Sequence, residues 1–155
     1  MSVILPGSYD PVTVGHLEVI RRAAREFDEV YAVIFVNPNK KYRFSLEDRL
    51  RMLSLATEEL DNVLVSYSSG LVVDYMRDHG IEKIVKGYRT EADLPWEREQ
   101  ADFNRRHGYE TLLWRCEPEY ERVSSTAVRD ALDRGDDASP LLPQPVLEYI
   151  KSLEM

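Results

Sequence analysis

The run EVYAVIFV, residues 29–36, decides the fold of this chain. After Glu29 its residues are all apolar or aromatic, with no polar residue alternating between them. A strand with one wet face would alternate, so the run predicts a parallel strand covered on both faces. Working outward, short aliphatic runs alternate with segments of helical period. SVILP (2–6) predicts a first strand, and from Gly15 the residues Leu17, Ile20, Ala24 and Phe27 follow a helical repeat. FSLEDRLRMLSLATEEL (44–60) opens on Ser45 with Asp48 three residues on, the sign of a capping box. Leu46, Leu50, Leu53 and Leu60 then line one face of that helix.

NVLVSY (62–67) predicts a third strand, and LVVDYMRDHG (71–80) a short helix stopped by Gly80. KIVKG (83–87) is a fourth strand, residues 93–107 a long charged helix, and ETLLWRC (110–116) a fifth strand. SSTAVRDAL (124–132) starts another helix, with Ser124, Ser125 and Thr126 placed to cap it. GDDASPLLPQP (135–145) reads as a loop, and PVLEYIKSL (145–153) as a last amphipathic helix. The alternation predicts an α/β fold over residues 1–155: a single-domain, Rossmann-like, doubly wound parallel sheet of five strands, with helices on both faces.

In such sheets ligands gather at the carboxyl ends of the strands, near the point where strand order reverses. That rule sorts the polar residues. The Gly7–His16 loop follows the first strand and Asn37–Arg43 the second, while Lys86–Arg89 follows the fourth and Tyr120–Thr126 the fifth. Four loops remote in sequence are expected to meet at one edge of the sheet.

The net charge of −8 argues against non-specific nucleic-acid binding, so no nucleic-acid partner is expected. Small anions are not excluded, because the basic groups NKKYR (39–43), KGYR (86–89) and NRRH (104–107) are local. No run of apolar residues is long enough for a membrane span, and no signal peptide is visible after Met1. The single cysteine, Cys116, has no partner for an internal disulfide, which fits a cytoplasmic location and a strand or core thiol.

Gly7 and Gly15 bracket a loop whose backbone can approach a ligand closely. His16 stands at the start of the next helix, where unpaired N–H groups and the helix dipole favour an anion, and Ser8 and Thr13 add hydroxyls. Lys40, Lys86 and Arg89 bring cations to the same edge, and Ser124–Thr126 offer a second anion seat. Two anion seats with lysine and arginine suit a polyphosphate and phosphoryl or nucleotidyl transfer. Neither a GxxxxGK[ST] loop nor a GxGxxG loop occurs, and no histidine–cysteine metal cluster is visible.

With these residues identified, the chain resembles a known family. PGSYDPVTVGH (6–16) is similar to the (T/H)xGH signature of the nucleotidyltransferase superfamily, and VSSTAVR (123–129) to its ISSTxxR-type signature. The succession of those blocks with NPNKKYRFSLEDR (37–49), GLVVDY (70–75), VKGYRTEADLPWE (85–97) and YERVSSTAVR (120–129) resembles bacterial phosphopantetheine adenylyltransferase over nearly the whole chain. The resemblance implies a reaction of ATP with 4′-phosphopantetheine, giving dephospho-coenzyme A and pyrophosphate, with Mg²⁺ as cofactor. It implies that His16 stabilises the transition state, that Ser8, Lys40, Val72 and Lys86 hold the acceptor, and that no protein residue ligates the metal. It further implies an ATP site made of Ser8, Tyr9, His16, Gly87, Tyr88, Arg89, Glu97, Tyr120, Glu121, Arg122, Val123, Ser124, Ser125 and Thr126. A homohexamer, with coenzyme A as a feedback ligand, also follows from the resemblance.

Some positions depart from the commoner family pattern. Ser8 stands where threonine is usual, Lys86 where arginine is usual, and Arg122 where an apolar or aromatic residue is usual. Two alternatives stay open: a related nucleotidyltransferase that uses CTP or another phosphorylated acceptor, and a non-catalytic nucleotide or coenzyme A sensor.

Overall fold

Val30, Ala32, Val33 and Ile34 expose none of their surface, so the 29–36 run is covered on both faces, as its composition requires. In the computed structural model, which describes residues 1–154, this run is β2 (Glu29–Phe35). The other strands are β1 (Ser2–Gly7), β3 (Val63–Ser68), β4 (Lys83–Tyr88) and β5 (Glu110–Arg115). They pair in parallel, in the order β3-β2-β1-β4-β5. The chain therefore builds outward from β1 to β3, then crosses back to place β4 on the free side of β1. The gap between β1 and β4 is the switch point.

Alternate residues of β2 serve two cores. Val30, Ala32 and Ile34 join Val3, Leu5 and Val85 under α1 (Val14–Glu26), α2 (Leu46–Ala56), α5 (Ser125–Arg134) and α6 (Gln144–Leu153). Val33 joins Ile4 and Ile84 beneath Met76 of α3 (Val72–His79), and Tyr31 and Phe35 pack at the side. Each fully buried aliphatic side chain stabilises the fold by about 1.5–3 kcal/mol relative to exposure. The remaining helix, α4 (Leu94–Arg106), buries no residue fully and packs chiefly along β5.

Several local expectations need adjusting. Ser45 does cap α2 by accepting the Asp48 N–H, at 3.0 Å. The reciprocal half of the box is not made, because the Asp48 carboxylate accepts the Tyr149 hydroxyl, 2.7 Å away, and so ties α2 to α6. Leu60 packs on the core from beyond the end of α2. The charged helix begins as a single 3₁₀ turn, Glu91–Asp93, before α4 proper. Another such turn, Ser139–Leu141, interrupts the 135–145 loop, where Ala138 and Leu142 are buried. Gly80 ends α3 in the left-handed conformation (φ 66°), as expected.

Candidate active site

A cavity of about 550 Å³ opens at the carboxyl ends of β1 and β4, at the switch point. Its floor is the loop after β1. Tyr9 holds a left-handed backbone (φ 47°), a region that costs energy for any residue with a side chain. Burial of its ring and a 2.8 Å hydrogen bond from its hydroxyl to the Leu5 carbonyl hold it there. Burial also pushes the phenol well above its usual pKa, so it stays protonated. A Cβ at Gly7 would stand 3.2 Å from this ring, which explains the glycine. Further along the loop, the Asp10–Pro11 peptide bond is cis.

Thr13 caps α1, and His16, third residue of the helix, completes the box. The His16 N–H donates to Thr13 Oγ1 (3.2 Å), and the Thr13 N–H donates to His16 Nδ1 (3.0 Å). That second bond fixes the tautomer. Nδ1 is an acceptor, so in the neutral ring the proton is on Nε2. Burial first, then the charges of Lys86 and Arg89, push the imidazole pKa down to about 4. His16 is therefore a neutral donor at physiological pH. Its ring lies 4.9 Å from that of Tyr9, and it forms part of the cavity wall.

The opposite wall comes from β4. Lys86, Gly87, Tyr88 and Arg89 all line the cavity. Gly87 is required by packing: a Cβ there would meet Val19 Cγ2 of α1 at 2.8 Å. Absence of that Cβ lets α1, and His16 with it, approach β4. Lys86 Nζ faces Glu97 Oε2 across 3.9 Å, too far for a hydrogen bond, and that buried oxygen has no hydrogen-bond partner. Arg89 is held at both ends. Its N–H donates to Asp93 Oδ2 (3.2 Å) and its guanidinium to the Glu121 carbonyl (3.4 Å).

The third wall is the start of α5. Ser124 caps the helix by accepting the Ala127 N–H (3.0 Å), and Ser125 Oγ donates to the Pro11 carbonyl (2.8 Å). Two helix starts, α1 and α5, thus face one cavity with their first N–H groups lacking intrahelical acceptors. Both the N–H groups and the helix dipoles favour an anion there.

Of the residues singled out in the sequence, Ser8, Tyr9, His16, Lys86, Gly87, Tyr88, Arg89, Glu97, Tyr120, Val123, Ser124 and Ser125 line this cavity. Five do not. Lys40 lies outside the wall, but its Nζ donates to Ser8 Oγ on the rim, at 3.3 Å. Val72 packs against the second core at the start of α3. Glu121 contributes its carbonyl to Arg89 and its carboxylate to Arg115, 3.8 Å away. Thr126 accepts from Arg129 (3.0 Å), and Arg122 is exposed.

Sequence reading missed Trp96 and Asp93 on the wall, and the pairing of Thr13 with His16. The spacing T-x-x-H was a usable signal, since it is that of a capping box with histidine in place of glutamate. Cys116 lies just past β5 on the wall, rather than in the core or in the strand. Burial and the Glu121 charge raise its pKa, so it remains a thiol.

A neutral donor, a lysine, an arginine and two helix starts around one switch-point cavity define an α/β protein built to bind and act on phosphate esters. Residues 4–131 match the cytidylyltransferase-like family, and the chain belongs to that family. Family and site agree on a nucleotidyltransferase acting on a nucleoside triphosphate. Among the described residues no helix is long and apolar enough to cross a membrane, and no group of three histidine, cysteine or carboxylate side chains is placed to hold a metal.

Proposed function

We propose that the protein transfers the AMP moiety of ATP to 4′-phosphopantetheine, forming dephospho-coenzyme A and pyrophosphate. The observation that carries this reading is the division of cations around His16. Arg89 is tied to the loop before α5, on the nucleotide side. Lys86 faces Glu97 and Lys40 reaches Ser8, partners that Arg89 does not share, which leaves cations for a second anionic substrate. The order of sequence blocks supplies the identity of that acceptor.

In this reading an oxygen of the acceptor phosphate attacks the α-phosphorus. A bond forms from that oxygen to phosphorus, the bond to the bridging oxygen breaks, and pyrophosphate leaves with the electron pair. The attacking group is already ionised, so no protein base is needed. A histidine held neutral at about pKa 4 suits this chemistry, because its Nε2–H donates to an α-phosphate oxygen as charge shifts there. Lys40 and Lys86 hold the acceptor phosphate, and the rest of the catalysis is alignment. Mg²⁺ would enter with the nucleotide and would supply charge neutralisation at the departing phosphates. Of the two carboxylates on the cavity wall, Asp93 is engaged by the N–H groups of Arg89 and Thr90, while Glu97 stands 3.9 Å from Lys86 with its buried Oε2 unpartnered. Coenzyme A, which carries both the pantetheine arm and the nucleotide, competes for the same cavity.

A second reading has one observation in its favour. Lys86, where relatives of the proposed kind carry arginine, offers a point charge rather than a fork, and Glu97 already faces it. This suits a different phosphorylated acceptor, such as glycerol 3-phosphate or nicotinamide mononucleotide, or CTP as donor. The deciding experiment measures pyrophosphate release with ATP and CTP against a panel of these acceptors. Turnover with ATP and 4′-phosphopantetheine alone supports the first reading. Preference for another pair replaces it, and nucleotide binding without turnover for any pair makes the protein a sensor.

A further inference from the structure

Arg49 is 2% exposed and has no carboxylate within ion-pair distance among the described residues. Its guanidinium instead donates to two carbonyls, Phe44 O through Nε (3.2 Å) and Ser8 O through Nη1 (3.1 Å), and lies 3.9 Å from the centre of the Tyr42 ring. Burying a cation without a counter-ion is costly, and an apolar residue would fill the space more cheaply. Stability alone does not explain it.

What the cation does join is two loops. Ser8 belongs to the loop after β1, while Tyr42 and Phe44 belong to the loop after β2. Asp10, 3% exposed, grips the second loop from the other side by accepting the N–H groups of Arg43 (2.8 Å) and Phe44 (2.9 Å). The peptide groups of Phe44 are therefore held at both faces, the N–H by Asp10 and the carbonyl by Arg49. Tyr42 closes the loop on itself, its hydroxyl accepting the Asn37 N–H at 2.8 Å. Inside that closed segment sits Lys40, an exposed residue whose ammonium nevertheless reaches Ser8 Oγ.

We infer that Arg49, stacked on Tyr42 and opposed by Asp10, is the positioning residue for Lys40, fixing its loop so that the ammonium stands over Ser8 where an acceptor phosphate is held. The inference rests on the acceptor role given to Lys40 above. Arg49 touches neither substrate; it acts through the loop. Lysine at this position keeps the charge but cannot bridge two carbonyls while lying flat on a ring.

The experiment compares the wild type with Arg49→Lys and Tyr42→Leu, each with and without Lys40→Ala. It measures KM for 4′-phosphopantetheine and for ATP by pyrophosphate release, and amide hydrogen exchange over residues 37–44. The expected result is faster exchange in that loop and an acceptor KM raised about 10- to 100-fold, the scale of a binding group displaced by about 1 Å, with the ATP KM much less affected. In the Lys40→Ala background the same substitutions should add little, because the group they position is gone. An unchanged acceptor KM despite a loosened loop overturns the inference. So do equal losses for both substrates, or effects that simply add to that of Lys40→Ala. Tyr42 also lies 5.4 Å from the Lys40 ammonium and so acts on it directly; should Arg49→Lys fail to fold, Arg49→Gln, which can keep one carbonyl contact and loses the charge stacked on Tyr42, carries the same test. Wild-type protein that releases no pyrophosphate with 4′-phosphopantetheine refutes the acceptor assignment itself, a failure visible before any variant is made.

Discussion

Replacing His16 by asparagine separates the cap its ring makes from the donor role proposed for it. Asparagine presents an amide oxygen near the position of Nδ1, so it can still accept the Thr13 N–H that closes the cap. It has nothing at the position of Nε2. Alanine removes both groups. Loss of the cap costs about 1 kcal/mol, so His16→Ala should melt a few degrees low while His16→Asn stays near wild type. Both should lose on the order of 10²–10³ in kcat, about 3–4 kcal/mol, the usual effect of deleting one donor aimed at developing charge. ATP affinity should change little, because the interaction grows in the transition state. Calorimetric ATP titration beside steady-state pyrophosphate release reads both quantities. Wild-type kcat in His16→Asn would refute the argument, and so would intact kcat with ATP binding lost.

The pH dependence checks the protonation state independently. The folded pKa of about 4 lies below the ordinary value of 6.5, so between these limits the unfolded chain binds the extra proton. Stability from this group is complete above pH 6.5 and is lost as pH falls towards 4. The whole shift corresponds to at most about 3 kcal/mol, less to the extent that cavity water reaches the ring edge. Melting temperature should therefore fall less steeply over this range in His16→Asn than in wild type. The kcat of the wild type should show no histidine limb between pH 6 and 8. A limb near neutrality that vanishes in His16→Asn would mean that an imidazolium, not a neutral ring, does the work.

Lys86→Ala should raise the acceptor KM far more than the ATP KM in steady-state assays, and an unchanged acceptor KM removes Lys86 from that role; Lys86→Arg should be tolerated if the pocket has room for a fork. Gly87→Ala should destabilise by about 1–3 kcal/mol and slow turnover, because its Cβ meets Val19 at 2.8 Å and pushes α1 from β4. Val19→Ala in the same chain should restore much of the melting temperature. Leu64, Tyr67 and Leu71 leave apolar surface exposed around β3 and the start of α3, which suits a subunit contact; with the count of six that the sequence resemblance implies, light scattering at micromolar concentration should show a hexamer. A monomer there refutes the assembly and leaves the chemistry standing.

How far the sequence was legible depends on how local each determinant is. β2 could be recognised because burial on both faces is written into consecutive residues, and the Gly80 stop because one residue's backbone decides it. Strand order was not written that way. That β4 returns beside β1 depends on contacts between residues some 80 positions apart, such as Val3 with Lys83. The same distinction divides the site. Lys86 and Arg89 could be singled out because they stand at the end of an apolar run, and His16 because it follows Gly15 at the start of a helix. Asp10 and Arg49 could not, since one reads as a turn residue and the other as a helix charge until folding buries both against the Phe44 peptides. Asp48 shows why a correct local pattern can still mislead. Its spacing from Ser45 fits a capping box, yet a tyrosine 101 residues away offers its carboxylate a 2.7 Å hydrogen bond. Thr13 and His16 show the opposite case, a box wholly local in sequence that was legible in principle. Its geometry links the helix cap to the proposed chemistry through one ring: the N–H bonded at Nδ1 is what leaves the proton on Nε2, the donor that the proposed mechanism uses.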